Sequence, residues 1–133
     1  MLKKLAALAV VAGVAAFAVY WIVTMPAVVP ASALPAYSAN VANGKTIFDV
    51  GGCVSCHGSV KDDRTLLGGG LALRSPFGTF HVPNISQNPV DGIGRWSEAD
   101  FVTAMLKGTS PAGKHYYPSF PYGSYARMKP EDV

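Results

Sequence analysis

The sequence predicts an all-α fold: one long apolar helix at the N-terminus, then a domain of short helices that closes around something other than its own side chains. Three observations carry this reading. Leu5 to Val23 run for 19 positions without a charge. After residue 40, apolar residues recur at helical spacing in only two stretches. Between those stretches, residues 58–95 are dense in Gly, Pro and polar residues, with no sustained period. A structureless span of that length does not suit a domain with an ordinary core. It does suit a domain that wraps a large ligand.

The opening, MLKKLAALAVVAGVAAFAVYWIVT, places Lys3 and Lys4 before the apolar run and Tyr20 and Trp21 at its far end. A cleaved signal has an apolar region of about 7–15 residues, whereas a spanning helix needs roughly 20. The length therefore favours an uncleaved, single-pass anchor over residues 1–24, although Ala31–Ala33 offer a small-residue cleavage pattern. Tyr20 and Trp21 suit the far membrane interface, and Lys3 and Lys4 on the near side orient the following domain outward. Residues 25–39 contain Pro26, Pro30 and Pro35 among small residues. They read as an extended Pro/Ala-rich linker that spaces the domain from the membrane.

The soluble domain is expected over residues 40–133. NVANGKTIFDV at 40–50 suits a short helix with Val41, Gly44, Ile47 and Phe48 on one face. A glycine in that helix costs stability, so a close contact is expected at Gly44. Gly51 and Gly52 end the element. SEADFVTAMLK at 97–107 is the strongest helix. Ser97 and Asp100 form a capping box, Phe101 with Met105 and Val102 with Leu106 define the buried side, and Gly108 stops it. Pro111, Pro118 and Pro121 keep residues 110–128 out of one helix, leaving an aromatic loop with four tyrosines. KPEDV then has the chemistry of a helix start.

Residues 51–58, GGCVSCHG, hold both cysteines of the chain as C-x-x-C-H. A structural zinc site needs four ligands, and Cys53, Cys56 and His57 are too few. A thioredoxin-type dithiol needs a βαβ setting, which is missing. A plain disulfide leaves the histidine unexplained. Covalent haem attachment explains the whole motif. Thiols at i and i+3 lie one helical turn apart and can bond the two vinyl groups of one porphyrin, and His57 follows in reach of the iron. One covalent haem c also supplies the missing core. The candidates for the sixth iron ligand are Met105, Met128, His81 and His115. Met105 lies on an apolar helix face, where methionine is commonly filler. Met128 lies in a segment free to approach from the opposite side.

Charge excludes another class of function. The chain is formally +3 at neutral pH, and Lys3 and Lys4 supply two of those charges, leaving 9 Lys and Arg against 8 Asp and Glu. A near-neutral domain has no electrostatic footprint for nucleic acid.

NGKTIFDVGGCVSCH, LGGGLALRSPFGTFHVPNIS, GIGRWSEADFVTAMLKG and HYYPSFPYGSYARMKPEDV together cover nearly all of residues 43–133. They resemble the first haem domain of bacterial membrane-anchored c-type cytochromes, both dihaem proteins and the cytochrome subunits of membrane-bound dehydrogenases. The resemblance implies a class I cytochrome c fold of three helices around the haem. It implies Met128 as the axial methionine opposite His57, and Trp96 beside a propionate. The sequence stops before the C-terminal helix of that family, so a truncated domain is expected. The implied role is non-enzymatic: a periplasmic haem domain on the cytoplasmic (inner) membrane, passing single electrons from a dehydrogenase to a quinone-linked or oxidase acceptor. The alternative from another class is a haem enzyme or gas or redox sensor with an open or labile sixth iron position.

Overall fold

A computed structural model describes all of residues 1–133. Helix α1 (Leu2–Thr24) has every side chain exposed and meets the domain through the carbonyl of its last residue. It is followed by α2 (Val41–Val50) and the single-turn helix α3 (Cys53–His57). A hairpin of strands β1 (Ala72–Ser75) and β2 (Gly78–His81) comes next, then α4 (Glu98–Lys107) and the four-residue helix α5 (Tyr122–Tyr125). Single 3-10 turns occur at Ala31–Ala33, Arg64–Leu66 and Pro130–Asp132.

The hairpin corrects the expectation of a purely α domain. Leu73 pairs with Phe80 across the two antiparallel strands, and both are half-buried, while Ala72, Arg74, Thr79 and His81 face solvent. Ser75 closes the turn. Its hydroxyl accepts from Phe77 N at 3.1 Å and donates to Gly78 O at 3.0 Å. Four-residue strands hold only two inward positions each, too few for a period of two to stand out against the surrounding Gly and Pro.

Helix α4 follows the expected signals. The Ser97 hydroxyl accepts from Asp100 N, the Asp100 carboxylate accepts from Ser97 N, and Gly108 adopts the left-handed conformation at the C-cap. Its buried side differs from the periodic reading. Val102, Thr103 and Ala104 are buried, whereas Phe101, Met105 and Leu106 are only half-buried. The linker causes this shift. It folds back onto α4, where Val29 N–H donates to Thr103 Oγ1 at 3.0 Å. The expected extended spacer is thus tied down beside the domain.

Helix α2 is capped by Asn40, whose side chain accepts from Asn43 N at 3.0 Å. Ile47 and Phe48 are half-buried as expected, but Val41 and Gly44 are exposed. A Cβ at Gly44 would meet nothing within 4 Å, so the close contact expected there is absent. Asn43 reaches the last 3-10 turn instead, donating to Asp132 Oδ1 at 3.1 Å.

Side-chain burial is sparse. The buried hydrophobic residues are Val82, Val102 and Ala104. Aromatic contacts extend the packing on one side. Phe80 stacks on Tyr117 with centroids 4.1 Å apart, and Phe120 meets Tyr116, Tyr122 and Tyr125. The Tyr122 ring lies so close to Gly108 that a Cβ there would sit 2.6 Å from it, which fixes α5 against the end of α4.

Two buried threonines, Thr103 within α4 and Thr109 just beyond its C-cap, give opposite expectations for one substitution. Thr103→Val removes the acceptor for Val29 N–H and costs about 1 kcal/mol. Thr109 Oγ1 is fully buried without a hydrogen-bond partner, so Thr109→Val removes an unsatisfied hydroxyl and stabilises by about 1 kcal/mol. Denaturant unfolding of the two variants against the parent checks both signs. Destabilisation by Thr109→Val would reveal a partner for that hydroxyl.

Candidate haem-binding site

Helix α3 sets Cys53 and Cys56 three positions apart on a single turn, so both sulfurs project from the same side of it. Cys53 and His57 are half-buried and Cys56 is exposed, and the two cysteines form no disulfide. Burial pushes the Cys53 thiol above its ordinary pKa range, and the nearby Cys56 acts in the same direction.

His57 is fixed from behind. Its Nδ1 lies 2.9 Å from the Pro83 carbonyl. A carbonyl oxygen only accepts, so Nδ1 carries the proton and Nε2 keeps its lone pair for a metal. The Pro83 carbonyl is in turn held by a small backbone lattice. Gly69 N donates to His57 O at 2.9 Å, Gly70 N to Val82 O at 2.8 Å, Val82 N to Leu71 O at 2.9 Å and Ile85 N to Leu67 O at 3.0 Å. Gly69 allows the approach: its φ is +66°, and a Cβ there would sit 2.5 Å from both Pro83 O and Val82 O. Arg64 closes the other side of the turn, its Nη2 donating to Val54 O at 2.8 Å and Ser55 O at 3.2 Å.

From the aromatic loop, the Tyr125 hydroxyl reaches Gly51 O at 3.5 Å. Its phenol is pushed above the usual range by burial, with Cys53 and Cys56 adding to the shift. The C-terminal segment therefore comes back to the cysteine turn. Met128 follows three residues later, half-buried, its N–H donating to Tyr125 O at 2.8 Å. The competing histidines face elsewhere. His81 is exposed at the end of β2, and His115 Nε2 donates to Thr24 O at 2.8 Å. Met105 is half-buried on α4. Trp96 is half-buried and lines an open cleft of about 290 Å³ with Tyr37, Ile93, Phe101, Val102 and Val133, to which the cysteine turn contributes nothing.

Cys53, Cys56 and His57 do not converge as ligands on a common point, which speaks against a shared tetrahedral ion. The donor set fits a covalently held porphyrin: paired thiols on one turn, an imidazole with Nε2 free, and few side chains buried around them. Pro83, Gly69, Arg64 and Tyr125 were missed by reading the sequence. Their roles depend on carbonyl positions and on approach across the fold, and only the left-handed tendency of the Gly68–Gly70 run left a local trace.

The sequence pattern of the cytochrome c family matches residues 41–133, from the start of α2 to the last residue. The chain belongs to the cytochrome c family. It is 50% identical over 99 residues to a diheme cytochrome c-type protein of Cereibacter sphaeroides, an overlap of 72% of this chain and 33% of that protein. It is 39% identical over 98 residues to the gluconate 2-dehydrogenase cytochrome c subunit of Pantoea cypripedii, covering 74% of this chain and 22% of the subunit. Identity is 38% over 96 residues to the alcohol dehydrogenase (quinone) cytochrome c subunit of Gluconacetobacter polyoxogenes, covering 72% and 20%. The cytochrome thus spans a third or less of the length of these relatives. It carries haem c, bound covalently, with its iron. Electron transfer is the chemistry of the cytochrome c family to which residues 41–133 belong.

Gly69→Ala is expected to displace the Pro83 carbonyl from His57 and to destabilise the haem-loaded protein. Gly113→Ala is the matched control, since its φ is also positive (+70°) but a Cβ there meets nothing within 4 Å. The control should cost about 1 kcal/mol for the left-handed backbone alone. Thermal unfolding should show Gly69→Ala costing clearly more than Gly113→Ala. Equal losses would mean that the close approach at Gly69 is not a constraint.

Proposed function

We propose that this cytochrome is a single-electron carrier with a His/Met-ligated haem, held at the outer face of the cytoplasmic membrane and fed by a dehydrogenase. Cys53 and Cys56 would hold the porphyrin through two thioethers, and His57 through Nε2 and Met128 through its thioether would bind the iron. When bound, the haem supplies a ferric–ferrous couple that changes by one electron without making or breaking bonds at a substrate. The observation that carries this reading is the His57–Pro83 hydrogen bond, which fixes the ring's orientation and puts the proton of the neutral imidazole on Nδ1, so that Nε2 is the nitrogen available to a metal.

The protein's own groups then do three things. The lattice around Pro83 keeps the imidazole from rotating. Arg64 holds the carbonyls of Val54 and Ser55, and with them the turn that carries both thiols. Tyr125 ties the segment bearing Met128 to Gly51, at the entrance to that turn. A thioether ligand raises the reduction potential, which suits delivery to a quinone-linked or oxidase acceptor. Trp96, just before α4, is assigned a position beside a propionate on the resemblance of GIGRW to the family pattern, although its cleft takes no residue from the cysteine turn. Its indole N–H would donate there.

The membrane assignment rests on α1, which is 23 residues long and contains an 18-residue stretch with a mean hydropathy of 2.3. We place Lys3 and Lys4 on the cytoplasmic side and the haem domain in the periplasm. A dehydrogenase as donor is proposed from the names of the relatives, which include cytochrome subunits of alcohol and gluconate dehydrogenases.

The test compares variants of the purified full chain. Cys53→Ala with Cys56→Ala should abolish haem retention on denaturing gels. Met128→Ala should keep the haem, lower the reduction potential, and open the iron to carbon monoxide or cyanide. Met105→Ala should instead cost mainly stability, on the order of 2 kcal/mol or more for a partly buried methionine, with the potential little changed. The reverse pattern in the two methionine variants would exchange their roles. A Met128→Ala variant unchanged in both potential and ligand access would refute His/Met ligation by that residue.

A further inference from the structure

Resting on the reading of α1 as a membrane span, we propose that the turn at residues 110–114 is a membrane-contact surface, seated among the headgroups of an anionic phospholipid bilayer. The ties of His115 to Thr24 and of Val29 to Thr103 hold the haem domain down against that surface.

Position comes first. Leu5 to Thr24 is 20 residues of helix, about 30 Å at 1.5 Å per residue. That equals the hydrocarbon thickness of about 30 Å, so with Lys3 and Lys4 at one interface, Thr24 lies at the other. Tyr20 and Trp21 fall just inside that edge, as an aromatic belt does. His115 Nε2 donates to Thr24 O at 2.8 Å. His115 and its neighbours are thereby set at headgroup depth.

The turn itself is built rigidly. Thr109 and His115 form a β-bridge. Within it, Ser110 N donates to Lys114 O at 2.8 Å, Gly113 N to Ser110 O at 2.9 Å and Lys114 N to Ser110 Oγ at 3.1 Å. Pro111, Ala112, Gly113 and Lys114 are exposed at its tip. The second tie, Val29 N to Thr103 Oγ1 at 3.0 Å, is made by the linker a few residues after α1, and prevents the domain from swinging out on residues 25–39. Neither tie would be needed by a freely tethered domain.

Charge names the partner. Residues 101–130 contain Lys107, Lys114, Arg127 and Lys129 and no Asp or Glu, whereas all eight acidic residues of the chain lie outside that run. Of the basic residues, Lys114 is the one in the turn that the His115–Thr24 tie sets at headgroup depth, and its ammonium is complementary to lipid phosphates, contributing about 1 kcal/mol near an anionic surface. The consequence for function is orientation. A domain pressed to the bilayer presents only its outward surface to a soluble partner, and stays close to partners within the membrane.

The test uses the haem-loaded full chain in vesicles of phosphatidylcholine and phosphatidylglycerol containing a nickel-chelating lipid. A nitroxide is attached at Ala112→Cys, the native cysteines being consumed as thioethers. Strong nickel-dependent relaxation of the label is expected. It should fall several-fold when Thr103→Val and His115→Ala are combined, and should weaken with Lys114→Glu in the anionic vesicles but not in pure phosphatidylcholine. A second label at Val14→Cys, reporting oxygen collision, tests the anchor separately. If Val14 lies in hydrocarbon and the Ala112 label shows no nickel effect, the surface contact is overturned and the anchor stands. Nickel relaxation unaffected by the double substitution overturns the role of the two ties. A Val14 label open to aqueous reagents overturns both the anchor and the contact.

Discussion

The hydrogen bond from His57 Nδ1 to the Pro83 carbonyl organises the rest of the domain. A histidine beside two thiols is ambiguous chemistry until its tautomer is known, and this bond settles which nitrogen is free. Its geometry depends on two chain segments that have no sequence proximity. Residues 67–71 and 82–85 exchange backbone hydrogen bonds, and the first segment also returns one to His57 O. The hairpin β1–β2 lies between them and brings them into register. What reads as a long irregular loop is therefore a brace, whose product is one carbonyl oxygen in one place.

The same economy explains the weak core. Only Val82, Val102 and Ala104 are buried hydrophobics, and burial of so few side chains offsets little of the entropy lost in ordering a domain of this size. Backbone bonds and aromatic contacts hold the segments, and the covalent haem that the family carries supplies the large apolar body they enclose. Tyr125 connects the two halves, since its hydroxyl meets Gly51 while its backbone carbonyl holds Met128. Movement of the C-terminal segment would be felt at the cysteine turn.

Much of this was legible in the sequence where the signal is local. The C-x-x-C-H spacing, the Ser97–Asp100 capping box and the Gly108 stop are each decided by residues within one or two turns of each other, and the uncharged run of α1 lies in one unbroken stretch. What was not legible is relational. The hairpin was hidden because four-residue strands carry too little alternation. The buried face of α4 was shifted because Val29, 74 positions away, supplies the partner for Thr103. Gly44 looked like a contact point from composition alone, yet its face is open. Pro83 could not be singled out among ten prolines, because its function lies in its carbonyl and not in its ring.

The central claim is that His57 and Met128 hold one iron between them, at the junction of the cysteine turn and the C-terminal segment. Proton NMR of the reduced, diamagnetic full-chain protein tests this most directly. A methionine methyl bound to ferrous haem lies over the ring and is shifted far upfield, outside the range of any other protein signal. The account expects one such three-proton resonance, lost in Met128→Leu and retained in Met105→Leu. A reduced protein with no upfield methyl resonance, or one whose resonance disappears with Met105 instead, would contradict it.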